Sequence, residues 1–375
     1  MPGLLPHVDP DGLLEYSVVY TDRALNHMSR RFQGVMQDVS RTLKQVYGAR
    51  SAIVVPGSGT FGMEAVARQF AGGKKVLVLR NGWFSYRWSQ IFEMAGVAGE
   101  VAVLKARMTD PAPKSPFAPA PLDEVLAAIR ETRPDVVFAP HVETSAGMML
   151  PDSTLAAVAE AVHAHGGLFV LDCVASGAIW VDMAATGVDV IVSAPQKGWS
   201  STPCAGLVML SERARAAIDA TTSSSFSLDL KKWLGIMEAH EQGAMAYHAT
   251  LPTDGLAQLR DVMAETEAFG FAQAKQAQLA LGARIRGLLE GQGIRPVAAP
   301  GFQAPGVVVS YTDHLEWANT KAWAAQGLQV AAGVPLACDE PADYRAFRVG
   351  LFGLDKLKDV DGTVARFERA LKALL

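Results

Sequence analysis

Two residues at the ends of apolar runs decide what chemistry this chain can do. Residues 188–192 read Val-Asp-Val-Ile-Val, a buried strand pattern, and the run stops in Ser193-Ala194-Pro195-Gln196-Lys197-Gly198-Trp199. Those small and turn-forming residues present a single lysine. Upstream, residues 167–172 read Gly-Leu-Phe-Val-Leu-Asp, a second strand that ends on a lone carboxylate, Asp172. Open α/β sheets do their chemistry just beyond the C-terminal ends of strands. A lysine there can form a Schiff base with a carbonyl, and an aspartate that pairs with a pyridinium nitrogen meets a need of pyridoxal phosphate. Alone, Lys197 would read as a solvated loop lysine. Its separation of about 25 residues from Asp172, across one βα unit, favours the chemical reading.

Other strand ends carry weaker signals. Pro56-Gly57-Ser58-Gly59-Thr60 joins a strand to a helix, where small residues let N–H groups and hydroxyls approach an anion. No Gly-Lys-Ser/Thr follows, so it is not a Walker loop, and a plain turn remains open. Asn81-Gly82-Trp83-Phe84-Ser85-Tyr86-Arg87-Trp88 offers rings that stack on a flat cofactor or pack in the core. His141-Val142-Glu143-Thr144-Ser145-Ala146-Gly147 is polar at another strand end. Arg348 interrupts the apolar pattern Phe347-Arg348-Val349-Gly350-Leu351. A guanidinium there calls for an anion, either a substrate carboxylate or a structural partner. Cys338 sits on a loop ahead of Arg348, as a desulfurase nucleophile would. The acidic neighbours Asp339 and Glu340 are expected to raise its pKa and leave it inert. His163 and His165 read as charge complements at a helix C-terminus.

The elements that must position these residues alternate as strand and helix. Helices are expected over 26–47, 61–70, 84–95, 122–131 and 153–165, and strands over 52–55, 75–79, 100–104, 135–139 and 206–210. The fold class is therefore α/β, a mostly parallel sheet sandwiched by helices. After residue 210 the alternation weakens. A long helical stretch over 256–289, broken near Gly270 or Gly282, leads into a smaller C-terminal α+β unit. Three divisions are expected: 1–20 packing on the small unit, 21–255 as the large unit and 256–375 as the small one.

Half of the 375 residues are apolar, 19% are charged and the net charge is -4. That balance gives no electrostatic reason to expect nucleic acid or an anionic membrane as partner. The most hydrophobic window, 168–194, carries Asp172, Asp182 and Asp189, and so reads as buried strands and not as a span. Cys173, Cys204 and Cys338 are separated and odd in number, with no zinc or disulfide spacing. Together with a front end lacking signal-peptide character, they make a reducing cytoplasm the expectation. No metal site is expected.

Taken together these motifs resemble the class V, fold type I, pyridoxal phosphate aminotransferases, most closely the alanine–glyoxylate/serine–pyruvate branch. The resemblance runs from about Asn26 to the C-terminus and includes Tyr247-His248-Ala249-Thr250-Leu251-Pro252. It implies that Lys197 carries the cofactor and shuttles the proton, and that Asp172 keeps the pyridine nitrogen protonated. Phe84, with Trp83 as the neighbouring alternative, would stack on the ring, Val174 would pack beneath it and Thr144 would approach its 3-hydroxyl side. Ser58, Gly59, Thr60 and Gln196 would meet the phosphate, and Arg348 the substrate α-carboxylate. Tyr247 and Thr250 would reach the phosphate from the second subunit of a homodimer with shared active sites. The front segment Gly12 to Arg23 departs from the family's usual Gly-Pro-rich opening, which bears on substrate choice.

The implied activity is transfer of an amino group from a small amino acid, alanine or serine in type, to glyoxylate or pyruvate. A lyase or cysteine desulfurase of the same fold is the alternative, separated by whether Cys338 is required and a 2-oxo acid must be supplied. A cofactor-binding protein without turnover is the reading from another class, and retention of both Lys197 and Arg348 argues against it.

Overall fold

The computed structural model describes residues 13–375; residues 1–12, and with them Gly12 of the atypical front segment, lie outside the described residues. Seven strands form the main sheet: β1 Ser51–Pro56, β2 Lys75–Arg80, β3 Glu100–Lys105, β4 Val136–Pro140, β5 Leu168–Asp172, β6 Val190–Ser193 and β7 Ala205–Leu210. Their spatial order is β1-β7-β6-β5-β4-β2-β3. Only β7 runs against its neighbours; the pairs from β6 through β5, β4 and β2 to β3 are parallel. Every residue of β5, β6 and β7 is buried, as strands covered on both faces must be. This is the α/β architecture that the alternation predicts.

Helix α1 (Arg30–Tyr47) starts four residues later than the apolar spacing predicts. Ser29 Oγ accepts the Phe32 N–H at 3.1 Å as an N-cap, while Asn26 Oδ1 takes the Met28 N–H at 2.8 Å in a preceding turn. Helices α2 (Gly59–Phe70) and α3 (Trp83–Ala95) begin directly off β1 and β2, earlier than expected. Their first turns therefore lie at the strand ends that carry the motifs.

The C-terminal part holds an antiparallel sheet of β8 (Val307–Tyr311), β9 (Ala331–Ala332) and β10 (Ala346–Gly350), in the order β8-β10-β9. Helices Phe271–Glu290 and Val360–Leu374 cover it, around Leu281, Ile285, Trp323, Phe347 and Phe367. The long helical stretch breaks at Gly270, whose φ of +100° suits glycine. Gly282 stays helical. A Cβ there would stand 2.5 Å from Pro305 Cα, so it serves close packing and not a bend.

Helix Thr253–Phe269 buries Leu256, Leu259 and Met263 in the large core. We therefore put the division between the two units at Gly270 and not near residue 255. Within the front segment expected on the small unit, the described contacts run to the large one. Tyr20 Oη donates to the Leu251 carbonyl at 3.0 Å, and Glu15 Oε2 accepts from Asn26 Nδ2 at 2.7 Å. Among the described residues no helix is long and apolar enough to cross a membrane.

Candidate active site

Asp172 ends β5 in register with Pro140 of β4 and Val192 of β6, so its side chain emerges at the C-terminal edge of the parallel strands. Lys197 follows β6 by four residues. Both line one cleft with a cavity volume of about 160 Å3. The α2 start contributes Ser58, Gly59 and Thr60 to it, and the α3 start contributes Phe84. Thr144, Val174 and Gln196 complete the set of expected residues that the fold brings together there.

Charge shapes the floor of the cleft. Asp172 is 6% exposed, and Oδ1 accepts the Val174 N–H at 2.9 Å. Burial, with Glu143 adding repulsion, pushes its pKa up to about 7 against the pull of the Val174 N–H, Arg87 and Lys197. Burial also lowers the pKa of Lys197, and Arg348 and Arg87 lower it further while Asp172 opposes them. A lysine held in this way gives up its proton more readily than one in water. Its Nζ lies 5.1 Å from the centre of the Phe352 ring. Behind Asp172, buried His141 shares a 2.7 Å hydrogen bond with Ser176, and burial brings its pKa down to about 4.

Glu143 and Arg87 carry no role in the sequence reading, yet both are built into the site. Glu143 is fully buried. Its Oε1 accepts from the N–H groups of Phe84 (3.2 Å) and Ser145 (3.0 Å) and from Ser145 Oγ (2.7 Å). Its Oε2 accepts from the N–H and Oγ of Ser85 at 2.8 and 2.7 Å. A carboxylate on the unpaired N–H groups of a helix start is favourable, and here it fixes the turn that carries Phe84. Gly82 is required by this approach, since a Cβ there would meet Ser145 Oγ at 2.1 Å. Arg87 lines the cleft and donates through Nη1 to Thr60 Oγ1 at 3.1 Å. Its i,i+3 spacing from Phe84 on α3 was the available signal.

Three expected residues lie outside the cleft lining. Arg348 on β10 is half-buried, donates through Nε to the Ala332 carbonyl at 2.8 Å, and has its guanidinium carbon 5.7 Å from the Phe84 ring centre. No ion pair holds it among the described residues, so the salt bridge that competed with the substrate reading is not seen. Burial lowers its pKa. Tyr247 and Thr250 bond to each other at 3.1 Å on an exposed loop, with Tyr247 packed on His27.

Cys338 is a buried thiol at 3% exposure, with Sγ 3.4 Å from the Arg80 carbonyl and 3.6 Å from that of Leu336. Burial first, then Glu143 and Glu340, pushes its pKa up to about 12. The expected direction is right, but the main cause is burial. Asp339 turns away to Lys105, at 2.8 Å. His163 is bonded at 2.7 Å to buried Asp189, and His165 at 2.8 Å to the Pro134 carbonyl, so both are tied into the structure. Among the described residues no cluster of three or more His, Cys, Asp or Glu suits a metal ion.

The chain is 30% identical to 2-aminoethylphosphonate–pyruvate transaminase 2 of Paraburkholderia xenovorans (strain LB400), a match covering 94% of this chain and 90% of that one. It is 27% identical to alanine–glyoxylate aminotransferase of Callithrix jacchus, covering 93% and 82%. Among solved structures it resembles a subgroup IV aspartate aminotransferase from Thermus thermophilus, with a TM-score of 0.76, 25% identity and coverage of 94% and 93%. The family profile described as aminotransferase class-V matches residues 12–347. With a lysine and an aspartate at adjacent strand ends inside that fold, the chain belongs to the class-V aminotransferases.

Proposed function

We propose that this cleft holds pyridoxal phosphate, and that the protein moves an amino group from a small amino acid to a 2-oxo acid such as glyoxylate or pyruvate. The observation that carries the reading is the pair Asp172 and Lys197 in one cleft, a buried carboxylate facing a lysine whose burial disfavours the charged amine. Other features fit the same group. Ser58 is the N-cap of α2 but makes no side-chain cap bond, which leaves its hydroxyl and the first-turn N–H groups for a phosphate. Gln196 has a buried side-chain oxygen without a partner. Phe84 and Val174 supply apolar contact for a flat ring.

When bound, the cofactor supplies an aldehyde carbon that takes the amino group and a cationic ring that accepts the electron pair left at the substrate Cα. Asp172 holds the ring nitrogen in its protonated form. A cation beside that carboxylate reverses the effect of burial and keeps it ionised. Lys197 would carry the cofactor covalently, and its Nζ, once freed by substrate, would be the base that takes the proton from the substrate Cα. Thr144 would serve the ring's 3-hydroxyl side, and Ser58, Gly59, Thr60 and Gln196 would hold the phosphate. Arg348 orients the substrate through its α-carboxylate, since the planar guanidinium fork matches two carboxylate oxygens. The desulfurase alternative loses support because Cys338 is buried and protonated at neutral pH.

A paired-substrate assay tests the function. Alanine and glyoxylate supplied together are expected to yield pyruvate and glycine over many turnovers, with at most one pyruvate per site when glyoxylate is left out and no glycine when alanine is left out. Keto acid formed in many turnovers without an acceptor would point to a lyase. In the same assay Arg348→Lys is expected to lower kcat/KM by about 30- to 1,000-fold, for roughly 2–4 kcal/mol of lost bidentate contact. An amine donor without a carboxylate should be indifferent to that change.

The active form is proposed to be a homodimer in which Tyr247 and Thr250 serve the phosphate of the partner's site. Tyr247 is 55% exposed, and the surface near it carries Phe226 at 78% and Met245 at 46%. Contiguous exposed apolar side chains mark contact surfaces, and one isologous interface would complete both sites. Mixing inactive Lys197→Ala subunits with a Tyr247→Phe/Thr250→Ala double variant is expected to restore activity, because one site of each mixed dimer carries neither defect. Verified mixed dimers that stay inactive would refute the shared site.

A further inference from the structure

Building on the reading of the cleft as a pyridoxal phosphate site, we propose that Arg87 is a further phosphate-binding residue, closing the phosphate end of the cleft against Thr60. Arg87 and Phe84 are three residues apart on α3, so ring and guanidinium share one helix face. Both line the cleft. The guanidinium carbon lies 4.8 Å from the Phe84 ring centre, and Nη1 donates to Thr60 Oγ1 at 3.1 Å. Arg87 therefore joins the residue expected to stack on the ring to one expected to meet the phosphate.

Asp172 lies in the same cleft, but no carboxylate among the described residues pairs directly with Arg87. Arg87, Arg348 and Lys197 all act on the cleft, and Arg87 pulls down the pKa of both Asp172 and Lys197. Glu143 cannot balance them by direct contact, because both of its oxygens are already occupied by five donors. Among the described residues Arg87 makes no ion pair. A half-buried guanidinium bonded to one hydroxyl retains donors for a doubly charged oxyanion. Lys197 has its nitrogen committed to the covalent link, and Arg348 has the substrate carboxylate. Arg87 is left for the phosphate.

An anion on Arg87 has two possible sources, the cofactor's phosphate or a second acidic group on the substrate. Titration of the cofactor-free protein with pyridoxal phosphate and with phosphate-free pyridoxal, followed by tryptophan fluorescence, separates them. Arg87→Gln is expected to raise the dissociation constant of pyridoxal phosphate roughly 10- to 100-fold while leaving that of pyridoxal within about twofold. Arg87→Lys, which keeps the charge without the fork, should raise it less and serves if the glutamine variant does not fold. The rise in melting temperature that inorganic phosphate gives the cofactor-free wild type should shrink in both variants. Equal losses for the two ligands would overturn the proposal, since Arg87 would then act only by packing Phe84. Unchanged pyridoxal phosphate affinity, with KM raised for 2-aminoethylphosphonate or aspartate but not alanine, would also overturn it, in favour of the substrate. A wild type that binds pyridoxal phosphate no more tightly than pyridoxal would refute the reading of the cleft as well.

Discussion

Lys197→Ala is expected to lower transamination by roughly 10,000-fold, the upper end of what one positioned acid–base group contributes. The size follows from two losses at one atom. The cofactor loses its covalent tether, and the proton at the substrate Cα loses its acceptor. The fold should survive, because Nζ makes a cation–π contact to Phe352 but no ion pair within 4 Å among the described residues. Burial, Arg348 and Arg87 all oppose a charged lysine here, so removing it relieves repulsion in the cofactor-free protein. Thermal unfolding of that form should move upward or stay put while turnover collapses. A variant with turnover above a tenth of wild type would show that another group carries the proton.

Asp172→Asn is the second large effect. An amide cannot hold a cationic ring nitrogen, and breaking a buried charge pair costs roughly 3–5 kcal/mol, or about 150- to 5,000-fold in rate. The same substitution should change how stability depends on pH in the cofactor-free protein. Burial raises the Asp172 pKa from 3.8 to about 7. An acid whose folded pKa is raised is most favourable to the fold below its unfolded pKa, and its contribution is lost as pH rises through the folded value. Wild-type stability should therefore fall as pH rises from about 4 to about 7 by an amount that Asp172→Asn does not show. Bound cofactor should remove the difference, because the ring cation restores a partner for the carboxylate. Melting curves across that range check both signs, and equal pH slopes for the two proteins would reject the strained carboxylate.

Local patterns made the scaffold legible. Apolar runs gave the strands, and Gly270, one of the two glycines expected to break the long helical stretch, does so because it supplies a backbone conformation that few other residues adopt at low cost. Helix starts were less legible: α1 begins where the Ser29 hydroxyl can reach a backbone N–H, a choice that apolar spacing does not encode. Within the site, residues at strand ends could be picked out because the open α/β fold puts ligands there. Glu143 and Arg87 could not be told from ordinary polar residues of a loop and a helix face. Their partners, Phe84 and Ser85 for one and Thr60 for the other, come from segments about 60 and about 27 residues away. Arg348 stood out as a guanidinium in an apolar strand, but only the fold shows that no carboxylate among the described residues answers it.

Reductive trapping tests the central claim directly. The protein is reconstituted with pyridoxal phosphate, treated with borohydride and digested, and the modified peptide is sequenced by mass spectrometry. One cofactor per chain on Lys197 is the expected result, lost when alanine is added before the reductant and returned when glyoxylate follows. A label on another lysine, or a label on Lys197 that neither substrate moves, would contradict it.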